Sequence, residues 1–194
     1  GPSGLTYYPG TGLSKHFQKR FFLCDFRGTP SRSGIRSFRV KNKGAFYELA
    51  DQEKSCWRIL ATDLQFGSDG GLYVSDWVNG WDGLGKGRVY RFTDAGRNEQ
   101  LVKEVHHLLR HGVTGKPTND LLKLLSHVDR RVRQEAQFAL VARGAVQDLA
   151  DAAGRLKQLA RLHALWGLGQ IARQGTEAQK SASMNALKRQ LVAS

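Results

Sequence analysis

Apolar and polar residues alternate with a period of two through the first half of the chain. Leu64 and Phe66 alternate before the segment 68–71, and Leu72 and Val74 alternate after it. This pattern predicts half-buried strands, and the two glycines of the segment SDGG favour a tight hairpin at positive φ. Seven strands are predicted, at SGLTYY, FFLCDF, GIRSFRV, AFYELA, ATDLQF, LYVSDW and GRVYRF.

The predicted strands form two sets that repeat at an offset of 51 residues (76 − 25). Asp25-Phe26 closes FFLCDF as Asp76-Trp77 closes LYVSDW, and a loop, a glycine and a strand with Arg and Phe follow each. Such a unit is typical of β-propeller blades. Propellers close with typically 4–8 blades, and this chain has room for about two. We therefore expect a fragment of a longer protein, or a partner that covers the sheet edges.

From residue 98 onward the apolar spacing becomes helical. Helices are predicted at 98–110, after Pro117, at 129–144 with Asp129 as cap, and at about 156–173 and 177–191. An Arg-Ala-Leu set recurs at an offset of 28, as Arg133, Ala136, Leu140 and then Arg161, Ala164, Leu168. Small residues with a leucine one turn later are typical of stacked helix pairs. The sequence thus predicts a multidomain β plus α protein, with a partial, about two-blade β-propeller in 1–97 and a HEAT-type α-solenoid in 98–194.

The charge balance adds a candidate class of partner. The net charge is +13, and residues 15–43 contain nine Lys or Arg and one acid, Asp25. A basic surface suits nucleic acid, acidic lipid or an anionic ligand, but it is also an ordinary solvated face. The densest basic stretch lies among the strands, which counts against nucleic-acid binding by the helices. No apolar run is long enough to span a membrane.

The cysteines and histidines predict no metal site. Cys24 and Cys56 form no CxxC, haem-attachment or zinc spacing, and we expect buried free thiols, with a disulfide as the alternative. His106-His107 lacks a second ligand cluster. A haem-ligand role for His163 has no supporting motif, so a structural role is favoured.

Several runs of the sequence together resemble a known family. The resemblance is carried by GPSGLTYYPG, FFLCDFRG, SGIRSFRVKNKGAFYEL and ATDLQFGSDGGLYVSDWVNGWDGLGKGRVYRF together with the helices that follow. They are similar to large bacterial proteins regarded as membrane-bound dehydrogenases. That family joins a propeller like that of the glucose/sorbosone dehydrogenases to HEAT-type repeats, often with a C-terminal cytochrome c domain. The resemblance implies that this chain spans the propeller end and the repeats.

The resemblance also implies cofactors and two binding residues. Similar propellers bind pyrroloquinoline quinone on their axis with calcium, and an Arg-Gly pair faces the quinone carboxylates. Here that pair is Arg27-Gly28, and Asp63 would point toward the axis. A guanidinium suits carboxylates, and a carboxylate suits a metal or a substrate hydroxyl. The alternatives are purely structural roles, namely an ion pair of Arg27 with Asp25 or Asp63, and backbone capping by Asp63. No catalytic residue is assigned, because the general base would lie in earlier blades.

Three functions follow as expectations. The first is part of a quinone-dependent sugar or alcohol dehydrogenase-like oxidoreductase, with the HEAT repeats as docking surface, and the resemblance implies a periplasmic or cell-envelope-associated location. Its partners would be the remaining blades, a cytochrome c domain that carries haem c outside this chain, and a sugar or polysaccharide. By itself the chain would be inactive. The alternatives are a non-catalytic protein- or glycan-binding scaffold and, less favoured, a nucleic-acid-binding basic solenoid. Loop 78–87, with its four glycines, is more typical of a strand connection than of a binding site.

Overall fold

Strands occupy the first part of the chain and helices the second. The computed structural model describes residues 1–83, 85–155 and 158–192. The chain divides into two compact units, Gly1–His106 and His107–Ser194. This order of two antiparallel sheets followed by helices confirms the predicted β plus α class.

Two antiparallel sheets form the first unit. The first sheet has the order β1 (Pro2–Tyr7), β2 (Phe21–Asp25), β3 (Gly34–Lys43) and β4 (Phe46–Trp57). The second sheet has the order β5 (Ala61–Phe66), β6 (Leu72–Asp76) and β7 (Arg88–Phe92). All seven predicted strands are confirmed. β4 continues past the predicted end at Ala50 because it pairs with β3 as far as Trp57, opposite Gly34.

The turn between β5 and β6 differs from its prediction in one respect. The N–H of Gly67 donates to the carbonyl of Gly71 (2.9 Å), and the N–H of Gly70 donates to the carbonyl of Gly67 (3.1 Å). Only the first of the two glycines, Gly70, has a positive φ, of 76°. The prediction of positive φ is therefore wrong for Gly71. A Cβ at Gly71 would instead lie 2.8 Å from Nε of Arg91, so a packed side chain explains this glycine.

The core of the first unit lies between the two sheets. It is built from buried apolar residues of both. They are Tyr8, Phe22, Cys24, Ile35, Ile59, Ala61, Leu64, Phe66, Leu72 and Val74. Phe66 meets Tyr8 and Phe22 edge-to-face, with ring centroids 5.5 Å apart in both pairs. Aromatic pairs of this geometry add to the free energy that area burial supplies.

The two sheets turn opposite faces of equivalent strands toward this core. Cys24 is buried and precedes Asp25 by one residue, whereas Val74 is buried and precedes Asp76 by two. Because side chains alternate along a strand, this difference of one residue means opposite faces. Leu23, the counterpart of Val74, accordingly faces away from the core and is half-buried. The first sheet therefore contributes to the core the face opposite to the one that the second sheet contributes. We call this head-to-tail packing, as in a heterologous interface.

The second face of the first sheet carries its own apolar row. Tyr7 contacts Phe21 at 4.8 Å between ring centroids, and Phe21 stacks on Phe38 at 5.5 Å. Leu5, beside Leu23 in the register, is 58% exposed. We call these five residues the outer face of the first sheet. They are apolar side chains only partly withdrawn from solvent.

Six helices follow the strands in the described part of the chain. They are α1 (Glu99–His111), α2 (Thr118–Leu124), α3 (Arg130–Ala142), α4 (Val146–Arg155), α5 (Gln158–Gln174) and α6 (Glu177–Val192). The five predicted helices are confirmed, although the predicted start at 156 lies outside the described residues. α4 was not predicted, because its short apolar set centres on Leu149 and two alanines. None of the described helices combines the length and apolar character that a bilayer crossing requires.

Helix termini and contacts in the second unit follow the predicted chemistry. Oδ1 of Asp129 accepts the N–H of Arg131 at 2.9 Å, which confirms the predicted cap of α3. Gly144 ends that helix with φ at 63°. The repeated alanine and leucine positions of α3 and α5 are all fully buried. α5 packs against α3, α4 and α6.

A buried polar network joins α3 to α5. Nε2 of His163 accepts from Nε of Arg133 at 3.2 Å, and its Nδ1–H donates to Oε1 of Gln137 at 2.7 Å. Nε2 of Gln137 then donates to Oε1 of Gln170 at 2.7 Å. Burial and then the charge of Arg133 lower the pKa of His163 to about 4. Both ring nitrogens of His163 are thus used in structural hydrogen bonds.

Replacing Gly12 by alanine should destabilise the first unit strongly. Gly12 has φ of 107°, and a Cβ there would lie 2.6 Å from Cα of Gly70. Gly28 is the matched control, because its φ is 82° but nothing lies within 4 Å of a Cβ. We expect Gly12→Ala to cost about 3 kcal/mol or more, and Gly28→Ala about 1–2 kcal/mol from backbone strain alone. Urea unfolding followed by tryptophan fluorescence measures both; equal costs would contradict the close approach.

The second unit should lose stability as His163 titrates. Its folded pKa of about 4 lies below the ordinary histidine value of 6.5, so the folded state resists protonation. The contribution is complete above pH 6.5 and is lost as pH falls toward 4. Linkage gives a loss of about 2 kcal/mol between pH 7 and pH 5. Urea unfolding followed by circular dichroism should show this loss in the parent and a smaller one in His163→Gln; equal slopes would exclude it.

Candidate functional site

Arg27 lies in the loop after β2 and is held by Asp25. Its Nε–H donates to Oδ1 of Asp25 at 2.9 Å, and Nε–H of Arg36 donates to Oδ2 at 2.8 Å. The hydrogen bond from Arg27 is the main reason that the pKa of Asp25 is lowered. The ion-pair alternative is therefore observed, with Asp25 as the partner. The Arg27 side chain is still 56% exposed, so part of it can meet a second anion.

Asp63 lies on β5 beside the first strand of the other sheet. A Cβ at Gly4 of β1 would lie 2.6 Å from Oδ1 of Asp63, so this glycine makes room for the carboxylate. The same oxygen accepts the N–H of Leu64 at 2.8 Å. The backbone-capping alternative is thus observed as well. Asp63 remains exposed, and a carboxylate with a free oxygen can still bind a cation.

The cysteines are free thiols, as the sequence predicts. Cys24 on β2 is buried and Cys56 on β4 is half-buried. Both are register neighbours of Ile35 on the strand between them. Two strand spacings amount to about 10 Å, which exceeds the reach of a disulfide. Burial and then the nearby negative charge of Asp63 raise the pKa of Cys24 to about 12, so this thiol stays protonated.

Asp76 fixes the loop end of the second sheet. Its Oδ1 accepts the N–H of Leu60 at 3.1 Å and the N–H of Val78 at 3.0 Å. One buried carboxylate therefore ties the chain before β5 to the loop after β6. Asp76 therefore has a structural role at the end of its strand.

Three aromatic rings form a column beside this anchor. Trp77 stacks on Phe26 at 6.3 Å between ring centroids with an interplanar angle of 19°. Trp81 also packs against Trp77, with ring centroids 4.5 Å apart, and is 65% exposed. The loop 78–87 thus displays an aromatic side chain on a packed support, although its Leu84 lies outside the described residues.

The donor groups present fit only part of the predicted cofactor chemistry. Within the described residues, no group of three or more His, Cys, Asp or Glu side chains could hold a metal ion. Arg27 fits a quinone carboxylate, because its bond to Asp25 uses Nε and its side chain stays largely exposed. A calcium ion would need most of its ligands from elsewhere.

A cleft that the sequence reasoning did not single out lies between the start of β5 and the inner side of β7. Arg58 and Arg88 line it together with Asn79 and the rings of Tyr90 and Phe92. Its volume is about 370 Å³. No periodicity or motif indicates this cleft, because its two arginines are 30 residues apart (88 − 58) and belong to different elements.

Comparisons with known proteins add no family to this geometry. A scan against protein-family models gave no match, and searches of curated proteins and of solved structures gave none either. The resemblance to the dehydrogenase family therefore stays a prediction from the strand runs. Function has to be argued from the site itself.

Replacing Asp76 by alanine should destabilise the first unit by about 2–4 kcal/mol, because two backbone N–H groups, one of them buried, lose their acceptor. Asp76→Asn keeps an acceptor oxygen and should recover much of this loss. Asp82→Ala, at an exposed position of the following loop, should change stability by less than about 0.5 kcal/mol. Urea unfolding measures all three; a silent Asp76→Ala would exclude the anchoring role.

Proposed function

We propose that the chain is a fragment of a propeller–HEAT protein and belongs to a periplasmic, quinone-dependent sugar or alcohol dehydrogenase-like oxidoreductase. The two sheets would be blades from the C-terminal end of a six-bladed propeller. The helices would be HEAT-type repeats that serve as a docking surface. The quinone and calcium would bind on the propeller axis, and a cytochrome c domain would accept electrons.

The head-to-tail packing of the two sheets supports this proposal most. Heterologous interfaces generate rings when the rotation between units closes. Each unit in such a ring offers one face to its predecessor and the other to its successor. The burial of Cys24 in one sheet and of Val74 in the other has this character. An ordinary sandwich, in contrast, has no reason to use opposite faces of strands related by a repeat.

The outer face of the first sheet adds a second supporting observation. Its row of Tyr7, Phe21 and Phe38 is apolar and only partly buried. A preceding blade would cover this row and withdraw it from solvent, which is favourable in proportion to the apolar area removed. The same reasoning applies to the face of β6 and β7 that carries Tyr73 and Val89, of which Val89 is 71% exposed.

Arg27 and Asp63 would serve the site in different ways. Arg27 would contact a carboxylate of the quinone while Asp25 holds its guanidinium in place. Asp63 lies on β5, which contacts β1, and inner strands of neighbouring blades meet in this way near an axis. Its exposed carboxylate would contribute one oxygen to calcium or to a substrate hydroxyl.

A second candidate function is a non-catalytic interaction module that binds protein or glycan. It is favoured by the ribbon of β3 and β4 that extends past β2. Phe46 at its tip is 78% exposed and Tyr47 is 71% exposed. Exposed neighbouring apolar side chains often mark interaction surfaces. In this case the aromatic tip, rather than the axis, would determine what the chain binds.

The decisive test uses the polypeptide extended to include further blades. Dye reduction with glucose, pyrroloquinoline quinone and calcium should appear in the extended protein and be absent from the present chain. Arg27→Gln should weaken quinone binding about 10- to 100-fold, because it removes a charged hydrogen bond. Arg32→Gln is the matched control for the loss of one charge in the same loop.

Either of two results would count against the oxidoreductase. The first is an extended protein that binds no quinone. The second is turnover by the present chain alone, because an axial site needs the other blades. Loss of partner binding in Phe46→Ser of an inactive extended protein would favour the interaction module instead.

A further inference from the structure

We propose that the cleft at the start of β7 binds a small organic anion. The negative group would lie between Arg58 and Arg88, and the apolar body would rest on Tyr90 and Phe92. Neither Arg27 nor Asp63 lines this cleft, so the site does not depend on the proposed quinone site. The ligand class is a carboxylate or phosphate monoester carried on an aromatic or aliphatic group.

The cleft has the size and composition of a small-ligand site. Its volume of about 370 Å³ falls within the range of known ligand pockets. Ile59 and Leu60 are buried at its base. Half-buried Cys56, Tyr90 and Phe92 add further apolar wall. The wall thus combines apolar side chains with charged and polar groups, and small-ligand sites use the polar groups to orient the ligand.

The two arginines of the cleft are short of anionic partners. Nη1 of Arg88 donates to the hydroxyl of Tyr90 at 2.9 Å, which is a neutral acceptor. Across residues 1–83, 85–155 and 158–192, no carboxylate forms an ion pair with Arg58. The carboxylate that lines the cleft, Asp76, is buried and accepts two backbone N–H groups, and its charge also attracts Arg88, its register partner on β7. This single negative charge balances only part of the positive charge of the two arginines. The cleft therefore offers positive charge that an external anion can neutralise.

The backbone at Arg58 gives an independent indication. Its φ is 64°, in the left-handed region that favours glycine. Its N–H donates to the carbonyl of Ser33 at 3.0 Å, which holds it in this conformation. A glycine would adopt this turn without strain, so an arginine here costs stability. Strained residues of this kind concentrate at ligand sites, where the side chain is needed.

The combination of charge and apolar wall defines the ligand. An inorganic ion would use the arginines but leave Tyr90 and Phe92 without a partner. A neutral aromatic molecule would use the rings but leave the guanidinium groups uncompensated. A molecule with both parts gains from both, so phenyl phosphate and benzoate are suitable probes.

Binding is measured by isothermal titration calorimetry and by NMR of the whole chain. The probes are phenyl phosphate, benzoate, inorganic phosphate and benzyl alcohol. We expect phenyl phosphate or benzoate to bind at least about 10-fold more tightly than inorganic phosphate or benzyl alcohol. The chemical-shift changes should centre on Tyr90 and Phe92. Preference between phenyl phosphate and benzoate distinguishes the two headgroups.

Two substitutions separate binding from folding. Arg58→Gly should raise Tm by about 4 °C, because it relieves the left-handed strain, and should weaken probe binding about 10- to 100-fold. Lys19→Gly is the matched control, since Lys19 also has a positive φ, of 62°, and does not line the cleft. It should raise Tm similarly and leave binding unchanged. Arg88→Gln should weaken binding without raising Tm.

The proposal is overturned by three results. One is the absence of binding by both organic anions. Another is equal affinity for inorganic phosphate and phenyl phosphate, since the apolar wall would then have no role. The third is equal loss of affinity in Lys19→Gly and Arg58→Gly, which would reflect net charge alone.

Discussion

The first unit depends on one constraint, which is that each sheet must bury one apolar face, and in the described residues the two sheets bury these faces mainly against each other. Phe22 and Cys24 meet Leu72 and Val74 in that layer. The loops after β2 and β6 lie at the edge of the same layer, where Phe26 stacks on Trp77. The positions of the exposed arginines are therefore set by the packing beneath them. A substitution in the core would therefore move the arginine side chains of these loops while leaving their charge unchanged.

The two repeated aspartates show how one residue type acquires different partners. Asp25 accepts from two arginine side chains, whereas Asp76 accepts from two backbone amides. Each is buried at the end of its strand, where an unpaired carboxylate would be costly. At Asp25 one of the two partners, Arg27, keeps its guanidinium largely at the surface. At Asp76 the carboxylate ties two backbone segments together, while Arg88, its register partner on β7, hydrogen-bonds to Tyr90.

The sequence predicted the elements better than the site. Alternation of apolar residues located all seven strands, and a cap at Asp129 located α3. The sequence reasoning missed α4, although Leu149, Ala152 and Ala153 do lie on one face of this ten-residue helix. Arg27 and Asp63 could be named in advance, but not Arg58. Its significance depends on a left-handed φ and on a cleft between distant segments, and neither leaves a periodic trace in the chain.

Head-to-tail packing has a consequence for how such a chain can evolve. When two units meet through the same face of each, that face is buried in both and no further unit can add to it. A sheet that uses its front face for one neighbour and its back face for the other leaves one free face of each kind at the two ends of a stack. Duplication of a segment of about 50 residues therefore inserts a new sheet whose two faces already match its neighbours. Unequal recombination can then change the number of sheets without any new interface having to arise.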